Sequence, residues 1–259
     1  MYGKAHSLMT LPSLLAVFAH PDDESLSAGG VLARHAAGGA RTAVVTATWE
    51  PETQRAAELA DALRILGADG PRLLGYADAR VPESAPGSAR FVDAPLDEAV
   101  QRLVVHIRQF RPDIVVTHDA YGGLTGHPDH VHTHRVTTLA FQAAALDQLY
   151  PDAGAPWQPS SLYLATHPHS FARMLGQSLV LRDRTMYSVP DESVTATVDV
   201  GPWIDQKISA ILAHRSEVER GALPGWLASL APAERARLLS TEWYIRRDPH
   251  ATGPIRTDL

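Results

Sequence analysis

Leu14-Leu15-Ala16-Val17-Phe18-Ala19-His20-Pro21-Asp22-Asp23-Glu24 is the stretch that decides the fold. Six consecutive apolar residues suit a strand covered on both faces, and the run stops at an imidazole, a proline and three carboxylates. From Ser25 the pattern turns helical: Leu26, Leu32 and Ala33 can share a face, and Gly38 and Gly39 stand where a helix would stop. A buried strand that gives way to a polar cluster and then a helix is the opening of an α/β unit.

Working outward, Thr42 to Thr46 reads as a second strand, and Ala56, Leu59, Ala60, Leu63 and Leu66 recur at helical spacing up to Gly67. Leu96, Val100, Leu103, Val104, Ile107 and Phe110 repeat that spacing before a third strand, Ile114 to Thr117. Such alternation implies right-handed crossovers and a mostly parallel sheet, with the ligand site beyond the carboxyl ends of its strands. Leu162 to Ala165 and Val194 to Val200 read as further strands, and Ile204, Ile208, Ile211 and Leu212 as a helix. Val81 to Pro95 and Tyr150 to Ser161 read as exposed loops, while the last forty residues carry no clear pattern. There is no internal repeat and no low-complexity tract.

The 259 residues, 45% of them hydrophobic, suit a single domain spanning 1–259. With no cysteine, thiolate catalysis is excluded and a metal site must use His, Asp and Glu. A net charge of -6 argues against a nucleic-acid partner, which requires clustered Lys and Arg. The apolar run from Leu8 to Ala19 is interrupted by Pro12 and preceded by a single Lys4, so it reads as neither an export signal nor a membrane span. The expectation is a soluble, cytoplasmic protein with no membrane partner. A homo-oligomer is compatible with the sequence.

Chemistry concentrates in two clusters. Burying His20 beside Asp22, Asp23 and Glu24 is costly unless a cation or hydrogen-bond donors intervene, and a divalent metal removes the conflict. The competing interpretation is that the three acids only cap the next helix. After the third strand come His118-Asp119, a loop with Gly122, Gly123 and Gly126, and His127-Pro128-Asp129-His130, followed by His132 and His134. Any one of these histidines could be a surface residue, but both clusters fall at the same edge of the sheet. The glycines permit tight turns over a site. Their spacing matches neither the dinucleotide fingerprint nor the P-loop, and no Gly-x-Ser-x-Gly elbow occurs. Trp49, Tyr76, Trp203, Trp226, Trp243 and Tyr244 are divided between two interpretations, sugar contact and core. His167 and His169, flanking a proline, are left outside the site.

Ala19-His20-Pro21-Asp22-Asp23-Glu24 followed by His127-Pro128-Asp129-His130 resembles the LmbE-like, or PIG-L, family of zinc-dependent N-deacetylases. The likeness runs from Leu14 to His134 and continues weakly in Lys207 to Ser216, with its Lys-x6-His-Arg-Ser pattern; Arg55, Glu58 and Asp78 also resemble family positions. The resemblance implies a Rossmann-like three-layer α/β fold with a mostly parallel central sheet. It implies His20, Asp23 and His130 as metal ligands, Asp22 as general base, and His127 as the electrophile beside the substrate carbonyl. Asp129 would orient His127, and Arg55 and Asp78 would contact a polar substrate. Mycothiol-pathway members carry a tyrosine in the glycine loop; here the loop is Gly122-Gly123-Leu124-Thr125-Gly126, and Tyr121 is the candidate to reach in from its other side.

Two imidazoles and a carboxylate suit zinc and leave a coordination position open, with Fe(II) compatible with the same donors. Zinc brings the pKa of its water from about 15.7 toward about 7, within reach of Asp22 at neutral pH. Adjacent Asp22 and Asp23 point in different directions, so one can hold metal while the other faces water. Zinc and protonated His127 would then stabilise the oxyanion. The implied reaction is hydrolysis of an N-acyl, chiefly N-acetyl, amide on an amino-sugar-containing small molecule or glycoside. The rivals are an amidase cleaving a thiol conjugate of the mycothiol type, and a non-catalytic metal-dependent carbohydrate-binding protein. Binding alone needs neither Asp22 nor His127.

Overall fold

A computed structural model describes residues 10–178 and 186–249. The first strand, β1 (Leu14–Phe18), is buried at every position. It leads into α1 (Asp23–Ala37), then β2 (Thr42–Thr48), α2 (Gln54–Leu66), β3 (Arg72–Tyr76), α3 (Leu96–Phe110), β4 (Ile114–His118), α4 (Pro128–Ala143) and β5 (Ser161–Thr166). The remainder adds α5 (His169–Ser178), β6 (Ala196–Asp199), α6 (Ile204–Ala213), α7 (Arg215–Glu219), α8 (Leu223–Ser229), α9 (Pro232–Leu239) and β7 (Thr241–Arg247).

The strands form one seven-stranded sheet in the order β3-β2-β1-β4-β5-β7-β6. β1 pairs in parallel with β2, Leu14 opposite Thr42, and with β4, Leu14 opposite Ile114. β2 with β3 and β4 with β5 are parallel as well, whereas β7 runs antiparallel to both β5 and β6. After β1 the chain builds outward through β2 and β3, then returns to place β4 on the other side. The switch in strand order lies between β1 and β4, where a crevice opens beyond the carboxyl ends.

Alternation along β1 divides the core into two layers. Leu15 and Val17 pack with Leu103, Ile107, Val136 and Phe141 of α3 and α4. Leu14, Ala16 and Phe18 pack with Leu32, Leu59, Leu63 and Ala210 of α1, α2 and α6. Close packing also explains Gly30 in α1, where a Cβ would lie 2.4 Å from Val200 Cβ. This is the three-layer arrangement that the sequence predicts. Among the described residues no helix is long and apolar enough to cross a membrane.

Both loop expectations hold in outline, with buried anchors inside each segment. Val81 to Pro95 is not simply exposed: Ser84, Ala85, Phe91 and Ala94 are buried, and Phe91 joins the α3/α4 layer. Tyr150 to Ser161 is tied down by the buried Arg108, whose guanidinium donates to the carbonyls of Leu146, Leu149, Tyr150 and Gly154. Trp157 Nε1 also donates to Pro112 O at 2.7 Å. Polar composition marked both segments as loops and concealed the buried anchors within them.

Candidate active site

The two polar clusters meet at the switch point. His20 follows β1, His118 ends β4, and the glycine loop carries the chain from β4 to α4. Gly122, Gly123 and Gly126 have φ of 79°, 63° and 60°, a left-handed run that bends the loop back over the strand ends. A Cβ on Gly122 would lie 3.2 Å from His130 Cβ, so the loop can approach that histidine only without a side chain there.

Three donor groups converge. His20 Nδ1 lies 3.1 Å from His130 Nε2 and 3.3 Å from Asp23 Oδ2, and His130 Nε2 lies 3.3 Å from Asp23 Oδ1. Around a cation with ligands at about 2.1 Å, neighbouring donors of a tetrahedron stand about 3.4 Å apart, close to the spacing found here. Each imidazole is also held by its outer nitrogen. His20 Nε2 lies 3.1 Å from both Asp129 Oδ2 and Asp78 Oδ2, and His130 Nδ1 lies 3.2 Å from the Gly122 carbonyl. Donation of those outer N–H groups leaves the inner nitrogens with lone pairs aimed at one point, the arrangement that metal-ligating histidines need. The residues present therefore fit a divalent metal.

Burial opposes a charge on His20, but hydrogen bonds with Asp129, Asp23 and Asp78 carry its pKa well above the usual 6.5. Asp23 shows the complementary shift: burial would raise it, while His130 and His118 hold it well below 3.8. His118 is a member of the cluster to which the sequence reading gave no role. Its Nε2 sits 3.4 Å from Asp23 Oδ2, and its ring stacks on His130 with centroids 4.0 Å apart. The signal was its position as the last residue of β4, level with Phe18 at the end of the neighbouring β1.

Asp22 is buried at the N-cap of α1 with φ 127°, a backbone state unfavourable to a side chain. Its N–H donates to Glu24 Oε2 at 3.0 Å, and Arg55 fixes the turn by donating to Pro21 O and pairing with Asp22 Oδ1 at 3.2 Å. Burial, opposed by Arg55 and aided by Asp23, pushes the Asp22 carboxyl up to about 6. Arg55 also pairs with Glu217 at 3.0 Å and lies over the Trp49 ring.

His127 is the N-cap of α4, its Nδ1 accepting from Asp129 N–H at 3.2 Å. That bond leaves Nδ1 unprotonated and directs the ring proton to Nε2. Burial first, then His20, His130 and Arg80, push its pKa down to about 4. The ring is thus a neutral donor near pH 7, where the sequence reading expected a protonated one. Asp129, wholly buried, receives Ala79 N–H at 2.9 Å on Oδ2, and its Oδ1 has no hydrogen-bond partner. Its Oδ2 lies nearer to His20 Nε2, at 3.1 Å, than to His127 Nδ1, at 3.8 Å.

The late Lys-x6-His-Arg-Ser pattern acquires a physical account. Lys207 Nζ pairs with buried Glu242 at 2.7 Å, His214 Nε2 with buried Glu24 at 2.9 Å, and Ser216 Oγ with Glu58 at 2.6 Å. Together they tie α6 and α7 to α1, α2 and β7 behind the site. Asp78 caps its own loop, accepting from Arg80 N–H at 2.6 Å, with its carboxyl exposed to the same cavity as Arg55. Tyr121 lies elsewhere: its side chain is 57% exposed and is not among the cavity-lining residues, and its backbone N–H donates to Asp119. Tyr187, packed against Gly126, lines the cavity instead. Of the six aromatics singled out, Trp49 and Trp226 line the cavity, while Tyr76 and Tyr244 are core.

The GlcNAc-PI de-N-acetylase (PIG-L) family model matches residues 15–141, the segment that contributes His20, Asp22, Asp23, His127, Asp129 and His130. The 1D-myo-inositol 2-acetamido-2-deoxy-alpha-D-glucopyranoside deacetylase of Rhodococcus erythropolis is 36% identical over 239 aligned residues, covering 79% of this chain and 81% of that protein. The enzyme of the same name from Streptomyces avermitilis is 34% identical, with 95% of each chain covered. Among solved structures, the N,N'-diacetylchitobiose deacetylase of Pyrococcus horikoshii superposes with a TM-score of 0.65 at 17% identity, covering 95% of this chain and 88% of that one. This chain belongs to the PIG-L, or LmbE-like, family of de-N-acetylases.

Proposed function

We propose that the protein is a zinc-dependent N-deacetylase of an amino-sugar-containing small molecule, working from His20, Asp23 and His130 as metal ligands. The observation that carries the reading is the convergence of three inner donor atoms whose outer partners fix both histidine tautomers. The names of the Rhodococcus and Streptomyces relatives, each a deacetylase of a 2-acetamido sugar, support the same substrate chemistry.

When bound, a zinc-type cation supplies Lewis acidity to an amide oxygen and acidifies a water within reach. Asp22, raised to about 6, is a carboxylate at neutral pH yet basic enough to accept the water's proton. Arg55 holds it in place. His127 presents Nε2–H to the oxygen that gains charge, a contribution of about 3 kcal/mol if it matches other single oxyanion donors. The proton gathered by Asp22 then passes to the departing amine. Asp78, Arg55 and Arg80, at one end of the cavity, provide the charged and hydrogen-bonding groups that sugar hydroxyls require.

Acetate and free amine released from a 2-acetamido glucopyranoside by the zinc-loaded protein, and not by the metal-free protein, is the expected result. Metal-independent release would remove the zinc reading. Retained zinc with no amine release would favour the carbohydrate-binding alternative.

A further inference from the structure

The cavity over the metal cluster has a volume of about 1330 Å³. Small-molecule sites fill about 300–1,000 Å³, so an acetylated monosaccharide leaves much of this space empty. The two ends of the cavity differ in chemistry. Trp49, Arg55, Asp78, Arg80, Glu217 and Arg220 line one end, beyond β1, β2 and β3. At the other, Leu26, Phe171, Leu175, Trp226, Leu238 and Leu239 come from α1, α5, α8 and α9. Leu26, Phe171, Leu238 and Leu239 also line a small adjoining hollow, together with Thr166, Lys207 and Glu242, so these four apolar side chains lie side by side.

Phe171, Trp226 and Leu239 are only half-buried in the protein alone, which leaves apolar surface facing the cavity. Covering it is favourable by about fourfold in affinity for each methylene buried, equivalent to about 0.8 kcal/mol. The family match ends at residue 141 and contains all the proposed catalytic residues, whereas α5, α8 and α9 lie wholly beyond it. The matched segment holds the residues proposed to act on the bond that is cut, and α5, α8 and α9, which the Streptomyces relative covers as well, line the rest of the cavity.

We propose that this apolar end, lined by Phe171, Leu175, Trp226, Leu238 and Leu239, binds a hydrocarbon aglycone of the substrate. The enzyme then prefers an N-acetyl amino-sugar glycoside with a long hydrocarbon aglycone over one with a methyl aglycone. This deepens, and rests on, the deacetylase reading above.

The test uses the full, zinc-loaded chain and two substrates, methyl and octyl 2-acetamido-2-deoxy-glucopyranoside, below micellar concentrations. The octyl glycoside has a KM at least tenfold lower, with kcat within about threefold, because the tail is bound equally in the ground and transition states. Phe171→Gln and Leu239→Gln bring the ratio of the two KM values to within about twofold. Equal KM values in the parent overturn the proposal, as does a lower KM for a methyl glycoside bearing an N-octanoyl in place of the N-acetyl group, which would assign the apolar end to the acyl chain.

Binding is measured separately by tryptophan fluorescence with octyl and methyl glucopyranoside, which lack the amide, and Trp226→Phe identifies the share from the cavity wall. If neither acetamido glycoside releases amine, the deacetylase reading fails, and the fluorescence ranking alone decides the apolar site. Octyl binding at least tenfold tighter supports it, and equal binding overturns it.

Discussion

His20 and His130, separated by 110 residues in the chain, meet with Nδ1 and Nε2 3.1 Å apart. Their rings tilt at 49°, and each is fixed from behind, His20 by Asp129 and Asp78 and His130 by the Gly122 carbonyl. The contact places two lone pairs on one point without any side chain between them, and the predictions for the site follow from it.

Replacing a ligand should abolish binding. His130→Ala leaves two donors, and zinc content measured by elemental analysis after dialysis should drop from about one per chain to a small fraction. Undiminished zinc in that variant would show that the cation sits elsewhere.

Removing the outer partner tests tautomer control. Asp129→Asn keeps the shape but weakens the hold on His20 Nε2, and outer partners of this kind are worth about 10–100-fold in metal affinity. A chelator-competition titration measures the loss. An unchanged affinity would mean that Asp129 serves only the backbone N–H of Ala79.

Asp22 sets the acid limit of activity. A base works only when deprotonated, so kcat/KM falls as pH drops through the pKa of Asp22, which is about 6 in the metal-free protein and lower with a cation beside it. Asp22→Asn lowers kcat about 10²–10⁴-fold while zinc is retained. A pH–rate profile with the acid limb unchanged in Asp22→Glu and Asp22→Asn would assign the base elsewhere.

The His214–Glu24 pair should show itself in stability against pH. Burial opposes both charges, but the partners raise His214 above 6.5 and lower Glu24 below 4.5. A raised His stabilises fully below 6.5 and loses the contribution as pH rises through its folded value; a lowered Glu stabilises above 4.5 and loses it as pH falls. The joint contribution is therefore fullest between 4.5 and 6.5. The Tm difference between the parent and His214→Gln should be largest near the middle of that window and shrink toward alkaline pH. A difference independent of pH would mean that packing, not charge, is lost.

Lys207 and Glu242 are both almost fully buried, and Glu242 also accepts the backbone N–H groups of Gly30 and Val31. Lys207→Met strands that carboxylate, at a cost of about 3–5 kcal/mol in urea unfolding. A loss below about 1 kcal/mol would show that the N–H groups and Tyr244 suffice to hold the charge.

The first half of the fold was legible because each element there has one periodicity. The apolar run from Leu14 and the helical spacing of α2 and α3 required no tertiary information. β3 was missed because Arg72 and Gly75 interrupt its apolar pattern, and Gly75 takes φ 76°. β7 was missed because Glu242, Arg246 and Arg247 make Thr241 to Arg247 read as polar; Glu242 is buried because Lys207 from α6, two N–H groups of α1 and Tyr244 all meet its carboxylate. α4 was concealed by its own chemistry, since His130, His132 and His134 supply a site and not an apolar stripe. The metal ligands were readable as a motif, whereas the partners Glu217 and His118 depended on which elements meet in space.

The most direct test of the central claim is anomalous diffraction at the zinc edge from crystals of the zinc-loaded chain. The account predicts one peak per chain, bonded to His20 Nδ1, Asp23 and His130 Nε2, with Asp22 facing it across the cavity. A peak ligated by another set, such as His118 with Asp23 in place of His20, or no peak between His20 and His130, would contradict it.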